Sequence, residues 1–135
     1  MADKPADTIT DGLIQELTGI SGVAAVYIFG SAAKGNLSAK SDLDIAVLFS
    51  GDQAENADRL DMMARLSAAA GRDVDLVILN DATPNLFHEI LSTGKLVLEN
   101  NRKYRIHCEV KNRKYYEDYR HIHSIYMQGM RRRYG

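Results

Sequence analysis

The sequence predicts an α/β fold: a small mixed sheet with flanking helices and a long C-terminal helix. Three observations carry this reading. Short apolar runs recur at 23–29, 42–49, 73–79 and 96–98, the length and composition expected of strands. Between them, apolar residues repeat at the three-to-four spacing of an amphipathic helix. Towards the C-terminus, Tyr115, Tyr119, Ile122, Tyr126 and Met130 follow one another at spacings of four, three, four and four, which places them on one face of a helix.

Taken in order, residues 1–7 are polar and read as a loose end. A helix fits 8–20, with Leu13, Ile14, Leu17 and Ile20 at helical spacing. Val23 to Phe29 is a strand. Ser31 to about Lys34 starts a short helix, and Asn36 to Ser41 returns the chain as a loop. Asp42 to Phe49 is the central strand. Residues 53–70 read as one helix with Leu60, Met63, Leu66 and Ala70 on its inner face, stopped by Gly71. Asp73 to Leu79 is the third strand. Thr83 caps the next helix, Pro84 takes its first position and Gly94 stops it after Thr93. Leu96 to Leu98 is a short last strand, and a long helix covers about 101–128. The expected organisation is one domain over 1–135, with a core at about 8–99 and a helical extension at about 100–135.

The chemistry concentrates between Gly30 and Asp75. Gly30-Ser31 ends an apolar strand, ten residues follow, and Asp42-Leu43-Asp44 opens the next strand. Alternate residues of a strand share a face, so Asp42 and Asp44 point the same way with Cα atoms roughly 7 Å apart. Carboxylates that close raise each other's pKa unless a cation lies between them. Mg²⁺ suits such a pair, because it takes oxygen ligands from one or two carboxylates and from substrate phosphates. A Gly-Ser turn before a helix offers free N–H groups to phosphate oxygens. Asp75 lies just inside the third strand. If that strand adjoins the Asp42 strand, Asp75 completes a triad able to hold two metal ions at an in-line phosphoryl displacement. An Asp-x-Asp alone is commonly a solvated strand edge; the order and spacing of all the parts give this one its meaning.

Gly30-Ser31, ten residues, then Asp42-x-Asp44 resembles the signature of the DNA polymerase β-like nucleotidyltransferases. The surrounding sequence, FGSAAKG…SDLDIAV…DVDLVIL, is most similar to the minimal nucleotidyltransferases (MNT). Within these it resembles the MntA-like antitoxins that partner HEPN toxins. The resemblance covers residues 20–99; the tail matches only as a helical extension.

That resemblance implies a polymerase β-like fold and a Mg²⁺-dependent transfer of AMP from ATP to a hydroxyl. Gly30 and Ser31 would hold the β- and γ-phosphates, Asp42 and Asp44 would bind both Mg²⁺ ions, and Asp75 would bind the catalytic ion and help to deprotonate the acceptor. Lys34 stands where many relatives carry Arg, keeping the charge without the bidentate fork. The acceptor would be a tyrosine of a HEPN-type toxin. Two other functions belong to the same resemblance: transfer to a small hydroxylated molecule, and an antitoxin that neutralises by binding alone. The expected architecture places helices on one main face of the sheet and the three acids at the other.

Composition adds bounds. The net charge of −1 demands neither nucleic acid nor membrane, and both direct nucleic-acid binding and self-association stay open. The charge is divided, however. Residues 1–101 carry 7 basic and 15 acidic side chains, net −8, and residues 102–135 carry 10 basic and 3 acidic, net +7. A solvated helix face or a basic docking arm would each produce that division. Six of the seven tyrosines lie in the last 32 residues, and the stripe they form is either core or a partner surface. Cys108 is the single cysteine, so no intrachain disulfide forms and a reducing cytoplasm is expected. The N-terminus has no apolar signal core, and no run reaches the ~18 apolar residues of a membrane span. His121 and His123 are two apart on a helix and point to different faces, so they cannot chelate one metal. His88 and His107 read as ordinary surface or core residues.

Overall fold

The computed structural model describes residues 6–30 and 42–134. Helix α1 spans Ala6–Thr18, and strands β1 and β2 span Val23–Phe29 and Leu43–Phe49. They are followed by α2 (Arg59–Ala70), β3 (Val74–Ile78), α3 (Pro84–Thr93), β4 (Lys95–Glu99) and α4 (Arg102–Tyr134). Among the described residues the strands form one mixed sheet in the order β3-β2-β1-β4. Strand β1 is antiparallel to both β2 and β4, whereas β2 and β3 run parallel. The short helix expected at Ser31 to Lys34 and the loop at Asn36 to Ser41 lie outside the described residues.

The sheet is covered on both faces, which corrects the expectation of helices on one main face. Leu13 and Leu17 of α1 and Met62 and Leu66 of α2 pack against Val26, Ile28, Ile45, Val47 and Leu76. On the other face Phe87 and Ile90 of α3 meet Ala25, Tyr27, Ala46 and Leu48, with Tyr104 and Cys108 of α4 beside them. Apolar side chains on both faces of β1 and β2 account for their nearly unbroken runs. A register shift between Val23 and Ala25 resets the alternation early in β1.

The helix expected over 53–70 is two pieces. Gln53–Asn56 is a 3-10 turn, Ala57 is extended, and α2 starts afresh when the Asp58 side chain accepts the Asp61 N–H. The capping carboxylate competes with continuation of the helix and wins. The new start rotates the buried face to Met62, Leu66 and Ala70, and leaves Leu60 74 % exposed rather than inward. Gly71 closes α2 at φ +70, and Thr83 caps α3 through the Leu86 N–H, both as the sequence predicts.

Helix α4 is tied to the sheet by charge. Tyr27 donates to Glu109 Oε1 at 2.5 Å, and Arg105 bridges Glu109 and Glu99 at 2.8 and 2.6 Å. Burial first, then the neighbouring Glu109 carboxylate, pushes the Tyr27 phenol well above its ordinary range. The phenol therefore stays a donor. Further along, Asn112 is buried and donates to the Pro84 carbonyl at 3.2 Å. The stripe of Tyr115, Tyr119, Ile122, Tyr126 and Met130 is exposed and is not core.

Candidate active site

The site forms where β1 ends and β2 and β3 begin. Because β1 and β2 are antiparallel, Phe29 pairs with Asp44, and the chain leaves β1 at Gly30 directly beside that acid. Because β2 and β3 are parallel, Asp44 pairs in register with Asp75. Neighbouring strands lie about 4.8 Å apart, so two carboxylates start from adjacent positions. Leu43, Ile45 and Leu76 turn into the α1/α2 layer, so Asp44 and Asp75 rise on the α3/α4 side. Asp42 precedes β2 by one residue and is exposed. The Leu43 N–H bonds to the Asp73 carbonyl at 2.9 Å, which locks the starts of the two strands together.

The electrostatics follow from this register. Partial burial, then Asp75, then Asp42 push the Asp44 carboxyl above its ordinary value. Arg59 brings a positive charge to the same edge. It starts on α2, donates from Nε to the Leu76 carbonyl at 2.9 Å, and brings Nη2 to 3.7 Å from Asp75 Oδ1. Since α2 belongs to the opposite layer and β3 is the outermost strand among the described residues, Arg59 reaches the acid around that edge. Among the described residues no three His, Cys, Asp or Glu side chains already form a metal cage. The donor set nonetheless suits Mg²⁺, which keeps several waters and substrate phosphates instead of an all-protein shell.

Gly30 has φ +69, and a Cβ there would overlap the Asp44 carboxylate, with Asp44 Cγ only 3.1 Å away. Glycine is thus required by the acid as well as by the turn. Ser31 and Lys34 lie outside the described residues. Arg59 escapes a reading of the sequence, because no local pattern says that a residue opening α2 reaches across a strand edge. Cys108 is half-buried, and burial pushes its thiol up, away from nucleophilic use. No helix among the described residues is long and apolar enough to cross a membrane.

A mixed sheet with a glycine turn facing an acidic strand edge is the framework of a nucleotidyltransferase. The chain belongs to the family described as Polymerase beta, Nucleotidyltransferase, which matches residues 12–103. It is 39 % identical over 70 residues to protein adenylyltransferase MntA of Shewanella oneidensis, covering 52 % of this chain and 50 % of the relative. The chain therefore spans about half the length of the curated relative it matches. A chain of a toxin–antitoxin crystal structure with AMP-PNP superimposes with a TM-score of 0.74 at 25 % identity, over 90 % of this chain and 97 % of that one. The fold is also shared with a chain of the complex between tri-AMPylated Shewanella oneidensis HEPN toxin and MNT antitoxin. There the TM-score is 0.67 at 21 % identity, over 97 % of this chain and all (100 %) of that one.

Proposed function

We propose that this protein transfers AMP from Mg-ATP to a tyrosine hydroxyl of a HEPN-type toxin, releases pyrophosphate, and so acts as an antitoxin in the cytoplasm. The observation that carries the reading is the in-register pairing of Asp44 with Asp75 beside Gly30. Support comes from the 39 % identical relative, named as a protein adenylyltransferase, and from the toxin–antitoxin likeness with AMP-PNP.

In this reading Asp42, Asp44 and Asp75 would be the oxygen donors for two Mg²⁺ ions, which would supply charge neutralisation for the displacement. Gly30 lets the backbone turn close to Asp44, and Gly30, Ser31 and Lys34 receive the β- and γ-phosphates. Asp75 takes the proton of the acceptor hydroxyl as its oxygen attacks the α-phosphorus. The bond from that phosphorus to the bridging oxygen of the β-phosphate breaks, and pyrophosphate leaves with the electron pair. The protein's share is positioning and electrostatics.

The test is incubation of the protein with its toxin partner, labelled ATP and Mg²⁺, followed by peptide mass spectrometry. AMP on a toxin tyrosine, absent with Asp44→Asn, is the expected result. Toxin neutralised with no label on either chain would overturn it in favour of inhibition by binding alone.

A further inference from the structure

Helix α4 has a held half and a bare half. The held half runs to Tyr116, whose ring stacks on His88 with centroids 3.6 Å apart. Every residue from Glu117 to Arg133 is then exposed, seventeen in succession, or about 25 Å of helix at 1.5 Å per residue. Ile122, Ile125, Tyr126, Met127 and Met130 lie bare on this arm. Its last acid is Asp118; Arg120 and Arg131 to Arg133 follow with no opposing charge in sequence. Helices in proteins draw most of their stability from packing an apolar face, and among the described residues this arm has no such packing. A bare apolar stripe with basic flanks suits a groove with an acidic rim.

The same chain carries such a groove. It is a cavity of about 500 Å³ at the end of the sheet where β2 and β3 finish, away from the Asp44 edge. Leu79, Phe87 and Tyr104 supply apolar wall, and Asp52, Glu55 and Asp81 stand exposed around it. Among the described residues none of these three acids has an ion-pair partner. Lys111 is the cation of that wall, and its Nζ lies over the Tyr115 ring at 5.8 Å. Tyr115 both lines the groove and begins the exposed stripe, so the two surfaces are continuous. An arm cannot fill its own groove. Helix α4 is unbroken from Arg102 to Tyr134 and carries the arm outward past the groove wall.

We propose that the bare half of α4 docks in the acid-rimmed groove of a second copy of this chain, two copies exchanging arms about a two-fold axis. Charge favours a second copy: each copy offers an arm of net +2 from Glu117 onward, with its four arginines, and a body of net −3 over residues 1–116 whose groove is rimmed by Asp52, Glu55 and Asp81. Because groove and arm adjoin at Tyr115, one two-fold axis serves both contacts.

The experiment measures the mass of the full chain in solution by light scattering and sedimentation across protein and salt concentration. A dimer is expected, and its dissociation constant should rise with salt. Tyr126→Glu on the arm and Glu55→Arg with Asp81→Arg on the groove should each raise that constant by at least about tenfold. Both sets of sites are exposed, so the melt measured at protein concentrations where parent and variants are all monomeric should be unchanged. Combining the groove reversal with Arg131→Glu and Arg132→Glu should restore the dimer. A chain that stays monomeric at every concentration overturns the proposal. So does a dimer indifferent to both sets, and so does an arm that binds only the toxin.

Discussion

Gly30 is held glycine by Asp44: the space a β-carbon would need at the end of β1 is occupied by the carboxylate of the paired strand. Two costs therefore stack in Gly30→Ala. The positive φ costs about 1–3 kcal/mol for a residue with a β-carbon, and the overlap with the carboxylate adds to it. Asp44→Ala removes the second cost and leaves the first. The loss from Gly30→Ala should accordingly be smaller in an Asp44→Ala background, a coupling of at least about 0.5 kcal/mol. Chemical denaturation of the four proteins measures it, and strict additivity would show that the overlap is relieved elsewhere.

Asp44 gives the pH prediction. Its carboxyl titrates higher in the folded chain, through burial and then through Asp75 and Asp42. The folded state therefore favours the protonated form. The stability contributed by that preference is fully present below the unfolded pKa and is lost as pH rises through the folded one. At neutral pH the ionised Asp44 is a net cost in the metal-free protein. Asp44→Asn should melt above the parent at neutral pH, with the advantage vanishing as pH falls through the carboxylate range. AMP transfer should drop by at least about 100-fold in the same variant, and likewise in Asp42→Asn, a loss that even outer partners of a metal can reach. A destabilised Asp44→Asn at neutral pH would contradict the repulsion.

Much of this was legible in the chain, for identifiable reasons. The Gly30-Ser31 to Asp42-x-Asp44 spacing and the strand-like Asp73 to Leu79 run are local patterns, and the register of β2 with β3 brings Asp44 level with Asp75. Thr83 and Gly71 mark their helix ends through backbone needs that sequence states directly, whereas Gly94 leaves room for the Ile90 and Ile28 carbonyls. What was hidden depends on competition or on distance. Asp58 restarts the helix after extended Ala57 and rotates α2, so Leu60 faces out, because a cap overrides a hydrophobic period. Tyr27, Glu109, Arg105 and Glu99 meet only through tertiary packing. The bare half of α4 carries the same aromatic periodicity as a core helix, so periodicity alone left its fate open.

Arg59 and Asp75 form a loose pair whose value is not stability. Both side chains are about half exposed, and exposed pairs contribute about 0–1 kcal/mol. Arg59→Ala should therefore leave the melt nearly unchanged, apart from the lost bond to Leu76 on the outer edge of β3. Its charge, however, opposes any cation at the three acids. The variant should bind Mn²⁺, used as a spectroscopic stand-in for Mg²⁺, several-fold more tightly at low salt. Titration followed by electron paramagnetic resonance reads this without turnover. Weaker Mn²⁺ binding would mean that Arg59 orients Asp75 for the ion instead of competing with it.

The two halves of α4 predict different results for two truncations. Ending the chain after Tyr116 removes the bare arm and spares Asn112, the His88 stack and the Arg105 network. That protein should keep a cooperative melt within a few degrees of the parent and bind Mg-ATP unchanged, because the residues proposed for phosphate and metal all precede residue 80. Ending it before Asn112 removes a buried amide bonded to Pro84 and leaves His88 without its stacking ring. The start of α3 then loses its cover, and a loss of about 2–4 kcal/mol follows, from one partly buried hydrogen bond and one large aromatic contact. Differential scanning calorimetry of the two proteins measures the contrast. If both truncations melt alike, the boundary between held and bare helix does not lie at Tyr116.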